Sequence, residues 1–162
     1  MAEHTWAAER DLPAPIEVAW ATLTDFASYP AWNPFTTEVE TTLTPGSPIR
    51  MRVNLGWAHV WQTETVRAVD PPHHVAWALD HLPAWLLRAR RDQRLTALPD
   101  GTCRYRTEDT IGGALLPIVR LLYGRGLTDG FAAMADALAA ECARRVTSQA
   151  AVHTPTAPDA AR

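Results

Sequence analysis

Leu23-Thr-Asp-Phe-Ala-Ser-Tyr-Pro-Ala-Trp-Asn-Pro-Phe35 decides how this chain folds, because it packs Phe26, Tyr29, Trp32, two prolines and an asparagine behind one short amphipathic segment. Proline disfavours the helical region for the residue before it, so Pro30 and Pro34 predict a helix end, a tight second turn and the start of a strand at Phe35. Just upstream, Pro15 suits the first turn of a helix, and Ile16, Ala19, Trp20 and Leu23 then fall at i, i+3, i+4 and i+7 on one face. The cluster Phe26, Tyr29 and Trp32 is expected to close one end of a core, with Trp32 also a candidate ligand contact.

Outward from this corner the pattern is mostly strand. His4 to Leu12 can form an opening strand, and Phe35 to Thr42 is rich in the Thr and Val that strands prefer. Pro45-Gly-Ser-Pro48 is turn chemistry before a strand from Ile49 to Leu55. Strands are predicted over Trp57 to Val69, His74 to His81, Trp85 to Ala97 and Thr102 to Ile111. From Leu115 to Arg145 the period becomes helical, with an apolar stripe through Leu115, Ile118, Val119, Leu122, Leu127, Phe131, Met134, Leu138 and Cys142. Gly124-Arg-Gly126 should loosen or kink that helix. A run of strands closed by one long helix is an α+β plan, since a parallel sheet would need alternating strands and helices. Residues 1–146 are read as one domain and 147–162 as a disordered tail.

Leu98-Pro-Asp-Gly-Thr102 has the signature of a three-residue hairpin loop, which sets a register. Leu95 then pairs with Tyr105, Gln93 with Thr107, Arg91 with Asp109 and Ala89 with Ile111. The other face carries Arg88, Arg90, Asp92, Arg94, Arg104, Arg106 and Glu108, which only water would tolerate. Arg91, Gln93, Tyr105, Thr107 and Asp109 therefore face the helix, where a plain core would show Val, Leu and Ile. Burying such groups is costly unless they are partnered, so an ion pair between Arg91 and Asp109 is expected. They either brace the sheet or line a pocket. Trp77 and Leu87, with Leu122, Phe131 and Met134 from the helix, would supply its apolar wall, and Val75, Trp77 and Leu79 are expected to face inward. On the strand from Trp57 the parity stays open: Trp57, His59 and Trp61 share one face, and Val60, Gln62, Glu64 and Val66 the other. Trp61 is carried as a candidate contact, His59 as a surface or bracing residue, and His73 and His74 as solvated.

The bulk numbers exclude several functions. With 162 residues, 47% of them hydrophobic and 20% charged, the chain suits one domain with a real core. No window approaches a membrane span, and the first residues lack the basic-then-apolar pattern of a signal peptide, so a cytoplasmic protein without membrane insertion is expected. A net charge of −3 and a pI near 6.0 argue against nucleic-acid binding. All 15 basic residues are Arg, a bias of GC-rich coding. Cys103 and Cys142 lack Cys-x-x-Cys spacing, so free thiols are expected, and no metal-ligand motif, phosphate loop or Ser/Cys–His pair can be assembled. No metal and no other cofactor is expected.

Asp-Phe, Tyr-Pro and Trp-Asn-Pro-Phe after a first helix resemble the SRPBCC superfamily, also called START-like or polyketide cyclase/dehydrase proteins, over roughly Trp6 to Arg145. The resemblance implies a helix-grip fold, a curved antiparallel sheet wrapped round a long C-terminal helix with a cavity between them. A polar residue at the Asp109 position is common in that superfamily. Three functions follow as expectations: a protein that binds an apolar, aromatic or polyketide-like small molecule; a cyclase or aromatase in which Arg91, Tyr105 and Asp109 serve as oxyanion donor, acid and base; or a self-resistance protein against a reactive natural product such as an enediyne. The expected partner is an apolar small molecule, and the expected state a monomer or weak homodimer.

Overall fold

Asn33 holds the decisive corner. Its Oδ1 accepts hydrogen bonds from the backbone N–H groups of Phe35 (3.0 Å) and Thr36 (2.9 Å), and its own backbone is extended, as a residue before proline should be. Tyr29 departs from expectation: its backbone is helical, and Pro30 sits in the first turn of a second short helix, where a missing N–H costs nothing. The Tyr29 hydroxyl donates to the Leu23 carbonyl (2.6 Å), and its ring stands edge-on between those of Phe26 and Trp32, with centroids at 5.2 and 4.9 Å. The aromatic cluster is thus internally satisfied.

The computed structural model describes residues 2–152. Strand β1 (Glu3–Leu12) leads into α1 (Ile16–Thr24), a 3₁₀ turn (Phe26–Ser28) and α2 (Tyr29–Trp32). Six strands follow: β2 (Thr36–Thr41), β3 (Pro48–Asn54), β4 (His59–Asp70), β5 (His74–Leu79), β6 (Arg88–Ala97) and β7 (Cys103–Gly112). They form one antiparallel sheet in the order β1-β7-β6-β5-β4-β3-β2, and α3 (Leu116–Val152) lies across its concave face. This is the helix-grip fold. Among the described residues no helix is long and apolar enough to cross a membrane.

Several boundaries move. Trp57 and Trp85 lie in loops rather than on strands. The helix continues past Arg145 to Val152, so the first residues of the expected tail are helical; 153–162 lie outside the described residues. Helix α3 is also unbroken through Gly124–Gly126. Its glycines serve close approach instead: a Cβ at Gly126 would stand 2.6 Å from the Leu55 carbonyl oxygen, and one at Gly130 would stand 2.1 Å from the Phe35 ring.

The hairpin register is as the turn sequence dictates, with Leu95 opposite Tyr105, Gln93 opposite Thr107, Arg91 opposite Asp109 and Ala89 opposite Ile111. Gly101 takes the positive φ of +82° that this loop requires. The convex face carries an arginine–carboxylate ladder, including Arg104 to Asp11 (2.6 Å), Arg90 to Asp92 (2.8 Å) and Arg106 to Glu108 (3.0 Å). His74 joins it, with Nε2 2.7 Å from Asp92 Oδ1, rather than standing free in solvent.

Candidate functional site

Between the sheet and the N-terminal half of α3 the packing leaves a cavity of about 210 Å³. Its wall is mainly apolar: Phe35, Val53, Leu55, Val60, Leu79, Leu87, Ala89, Ile111, Val119, Leu127 and Phe131, with the Tyr123 ring. The polar members are Gln62, Glu64, Arg91 and Asp109. Gln62 is otherwise exposed and stands at the mouth, whereas Glu64 is buried. Below the cavity α3 closes on Leu55 and Phe35, an approach that Gly126 and Gly130 permit.

Strand parity delivers the polar groups. On β4, Val60, Gln62, Glu64 and Val66 point inward, and the bulge that interrupts pairing with β5 comes only at Val66/Ala68, too late to reverse that face. Glu64 accepts a hydrogen bond from Gln62 Nε2 at 3.1 Å through one oxygen, while Oε2 is buried without a partner. On β7, Asp109 is half-buried as a residue because it forms part of the cavity wall, yet its Oδ1 is shut off from solvent and unpartnered. Arg91 lies between these strands on β6. Its Nε donates to Thr107 Oγ1 (3.2 Å), its Nη2 points at Met134 Sδ (3.2 Å), and the guanidinium lies 4.5 Å from the Phe131 ring centroid and 5.4 Å from that of Phe35. The expected Arg91–Asp109 ion pair does not form: the two are register partners, but the arginine is drawn toward the helix and the rings.

The consequence is electrostatic. Loss of water, with the nearby Asp109 carboxylate, pushes Glu64 up to about 8, only partly opposed by Arg91. Burial likewise raises Asp109 to about 6, against the attraction of Arg91. At neutral pH one cavity carboxyl is therefore mostly protonated and the other mostly ionised. Among the described residues no group of three or more His, Cys, Asp or Glu side chains is arranged to hold a metal ion.

A sequence profile described as polyketide cyclase / dehydrase and lipid transport matches residues 3–146. The chain belongs to this family. No curated protein matches the sequence. Among solved structures, an aromatase/cyclase from a Streptomyces species superposes with a TM-score of 0.69 at 18% identity, over 90% of this chain and 96% of that one. A START superfamily protein from Mycobacterium smegmatis gives 0.66 at 17% identity, over 88% and 99%. A protein from Mesorhizobium loti gives 0.64 at 26% identity, over 88% and 98%.

Within this family member the residues singled out from sequence divide into distinct groups. Leu87, Arg91, Asp109 and Phe131 line the cavity. Met134, Thr107 and Gln93 do not; they are buried behind it, where Met134 and Thr107 hold Arg91 and Gln93 Oε1 accepts from the Tyr105 hydroxyl at 2.6 Å. Tyr105 is fully buried, and loss of water raises its pKa against the pull of Arg91; it does not reach the cavity wall. Trp77 is buried beside Arg91, 5.8 Å from its guanidinium, and also does not reach the wall. Trp61 is on the convex side, 41% exposed under the Arg50 guanidinium, because its parity is opposite to that of Glu64. Leu122 is 48% exposed: the inward stripe of early α3 runs Leu116, Val119, Tyr123, Leu127, one position off the Ile118–Leu122 pair. It borders an outer groove with Trp57. Trp32 packs in the corner, where its Nε1 donates to Ser28 Oγ (3.1 Å). Glu64 and Gln62 are the polar wall residues that the sequence reading did not select. Their shared parity with Val60 and Val66 was the available signal.

Proposed function

We propose that the protein binds a small, largely apolar molecule of one or two rings that carries a polar group, held in the cavity under α3. The observation that carries this reading is a pair of shielded carboxyl oxygens, Glu64 Oε2 and Asp109 Oδ1, left without partners on residues of a mainly apolar wall. Such orphans cost stability unless a ligand or water meets them, and their place on two residues of a cavity wall suits orientation of a ligand rather than plain packing. Size limits the ligand: a cavity of roughly 150 Å³ accepts benzene, so about 210 Å³ suits one ring and its substituents, or two rings with small adjustment. Calorimetric titration with indole, 1-naphthol, 4-hydroxyacetophenone and 2-phenylethanol tests the reading. Micromolar binding is expected for at least one, lost in Ala89→Leu, which fills the wall from β6 while leaving the thermal melt within a few degrees. Failure of all four and of a charged one-ring amine such as 2-phenylethylamine, or equal binding by the variant, would overturn it.

A second reading is acid–base catalysis, favoured by two wall carboxyls whose proton affinities lie on opposite sides of neutrality. In it Asp109 removes the proton α to a ligand carbonyl and protonated Glu64 gives its proton to the departing β-hydroxyl, so that water is eliminated and a double bond forms. The family description, cyclase and dehydrase, is compatible with such a step. Asp109→Asn should then slow dehydration of a β-hydroxyketone probe by on the order of 10²-fold with its Kd unchanged. An unchanged rate, or none above background in the parent protein, would leave binding alone.

A further inference from the structure

The cavity wall carries two carboxyls against a single guanidinium, and that guanidinium forms an ion pair with neither of them. Arg91 spends Nε on Thr107 Oγ1 and Nη2 on Met134 Sδ, and lays its face near the Phe131 ring. Glu64 Oε2 and Asp109 Oδ1 are both shielded and unpartnered, so what the wall lacks is hydrogen-bond donors. A hydroxyl group supplies one donor and no charge. An ammonium supplies three donors and one positive charge, which brings two ionised carboxylates and one guanidinium to neutrality, the condition under which buried charge is tolerated.

We infer that the cavity selects a primary amine in its protonated form attached to one apolar ring, with the ammonium between Glu64 and Asp109 and the ring against Leu79, Ala89, Val119 and Leu127. This rests on the cavity-binding reading and sharpens it to a ligand class. The proton balance follows. Free protein holds Glu64 mostly protonated at pH 7, because burial and Asp109 oppose its charge and Arg91 only partly offsets them, with Asp80 acting from farther off in the same sense as Asp109. An adjacent ammonium reverses that balance, so Glu64 ionises and its proton passes to solvent as the amine binds.

The experiment is calorimetry on the full chain at pH 7 with 2-phenylethylamine and its neutral counterpart 2-phenylethanol, in phosphate and in Tris, whose ionisation enthalpies differ. The amine should bind at least about 10-fold more tightly than the alcohol and release about one proton per molecule bound. In Glu64→Gln the amine-to-alcohol preference should fall below about 3-fold and the proton release should vanish, with circular dichroism confirming the fold. Asp109→Asn should lower the preference without abolishing proton release. Alcohol binding as tight as amine binding overturns the cationic assignment while leaving the cavity-binding reading standing. Amine binding without proton release, or with preference undiminished in Glu64→Gln, places the ammonium elsewhere and overturns it as well. If neither compound binds but 1-naphthol or indole does, the ligand class is wrong. If nothing in either panel binds, the cavity-binding reading fails first.

Discussion

Glu141 and Glu64 are both buried glutamates on the inner side of this fold, one at the closed end of the grip and one at the open end, and their surroundings are opposite. Glu141 on α3 accepts hydrogen bonds from Arg144 (2.6 Å) and Arg145 (2.8 Å), and Arg145 reaches on to Asp25 (2.8 Å), so the C-terminal half of the helix is tied to the segment after α1. The Arg144 hydrogen bond and then Arg145 outweigh the cost of burial and hold Glu141 down to about 2. Glu64 has only Gln62 for a donor and is pushed up to about 8. One end of the molecule is completed by its own side chains. The other is left incomplete in the polar sense, the contrast on which the proposed binding role rests.

The largest effect should come from removing the incomplete group. Because the Glu64 carboxyl is raised in the folded state, its full stability is present below the unfolded value near 4.5 and is lost as pH rises through about 8. Glu64→Gln should therefore match the parent protein in urea unfolding at pH 4 and exceed it by on the order of 3 kcal/mol at pH 9. An equal difference at both pH values would break the contrast. Glu141 has the reverse sign: lowered in the folded state, it stabilises above pH 4.5, and the gain is lost as pH falls toward about 2. Glu141→Gln should cost about 2 kcal/mol at pH 7 in the same assay, with the gap closing as acid is added. A smaller effect is expected at the boundary of the two regions. In Gly130→Ala the new methyl group, placed 2.1 Å from the Phe35 ring, forces that ring toward the cavity. A helix-propensity gain of about 1 kcal/mol offsets part of the overpacking, leaving a net loss of about 1 kcal/mol in thermal unfolding. Ligand affinity should fall about 10-fold in titration.

How much of this was legible follows from where side-chain direction is set locally. The Pro-Asp-Gly loop fixes the β6–β7 register by itself, so Arg91 and Asp109 could be placed opposite one another on the inner face from sequence. Their failure to pair could not, because it depends on Phe131 and Met134 arriving from α3 to hold the guanidinium. On β4 the phase is set by the two-residue turn Gly56-Trp57, where Gly56 takes φ +87° and the Leu55 N–H donates to the Ala58 carbonyl (2.8 Å), but Gly-Trp is a weaker turn signature than Pro-Asp-Gly and both parities carry apolar and polar residues. For that reason the sequence does not single out Glu64, and it admits Trp61, whose ring faces outward. On α3 the apolar residues are dense enough near Ile118 and Leu122 to fit two adjacent stripes, and only the sheet selects between them. The family resemblance, by contrast, rests on the Trp-Asn-Pro-Phe corner, whose geometry is closed by Asn33 within its own few residues.

The ladder on the outer face is built with guanidinium groups, since the chain contains no lysine. Guanidinium does not lose its proton in any solvent a protein survives, so the arginine half of those pairs is deaf to alkali that would discharge an amine-based ladder. The hydrogen bonds that Arg90, Arg104 and Arg106 make to their carboxylates hold their protons more tightly still. Between roughly pH 5 and pH 9 these outer pairs keep one electrostatic state while the two cavity carboxyls pass from neutral to charged. Alkali is therefore an address as well as a stress: it writes on the cavity wall and leaves the arginine–carboxylate pairs unchanged.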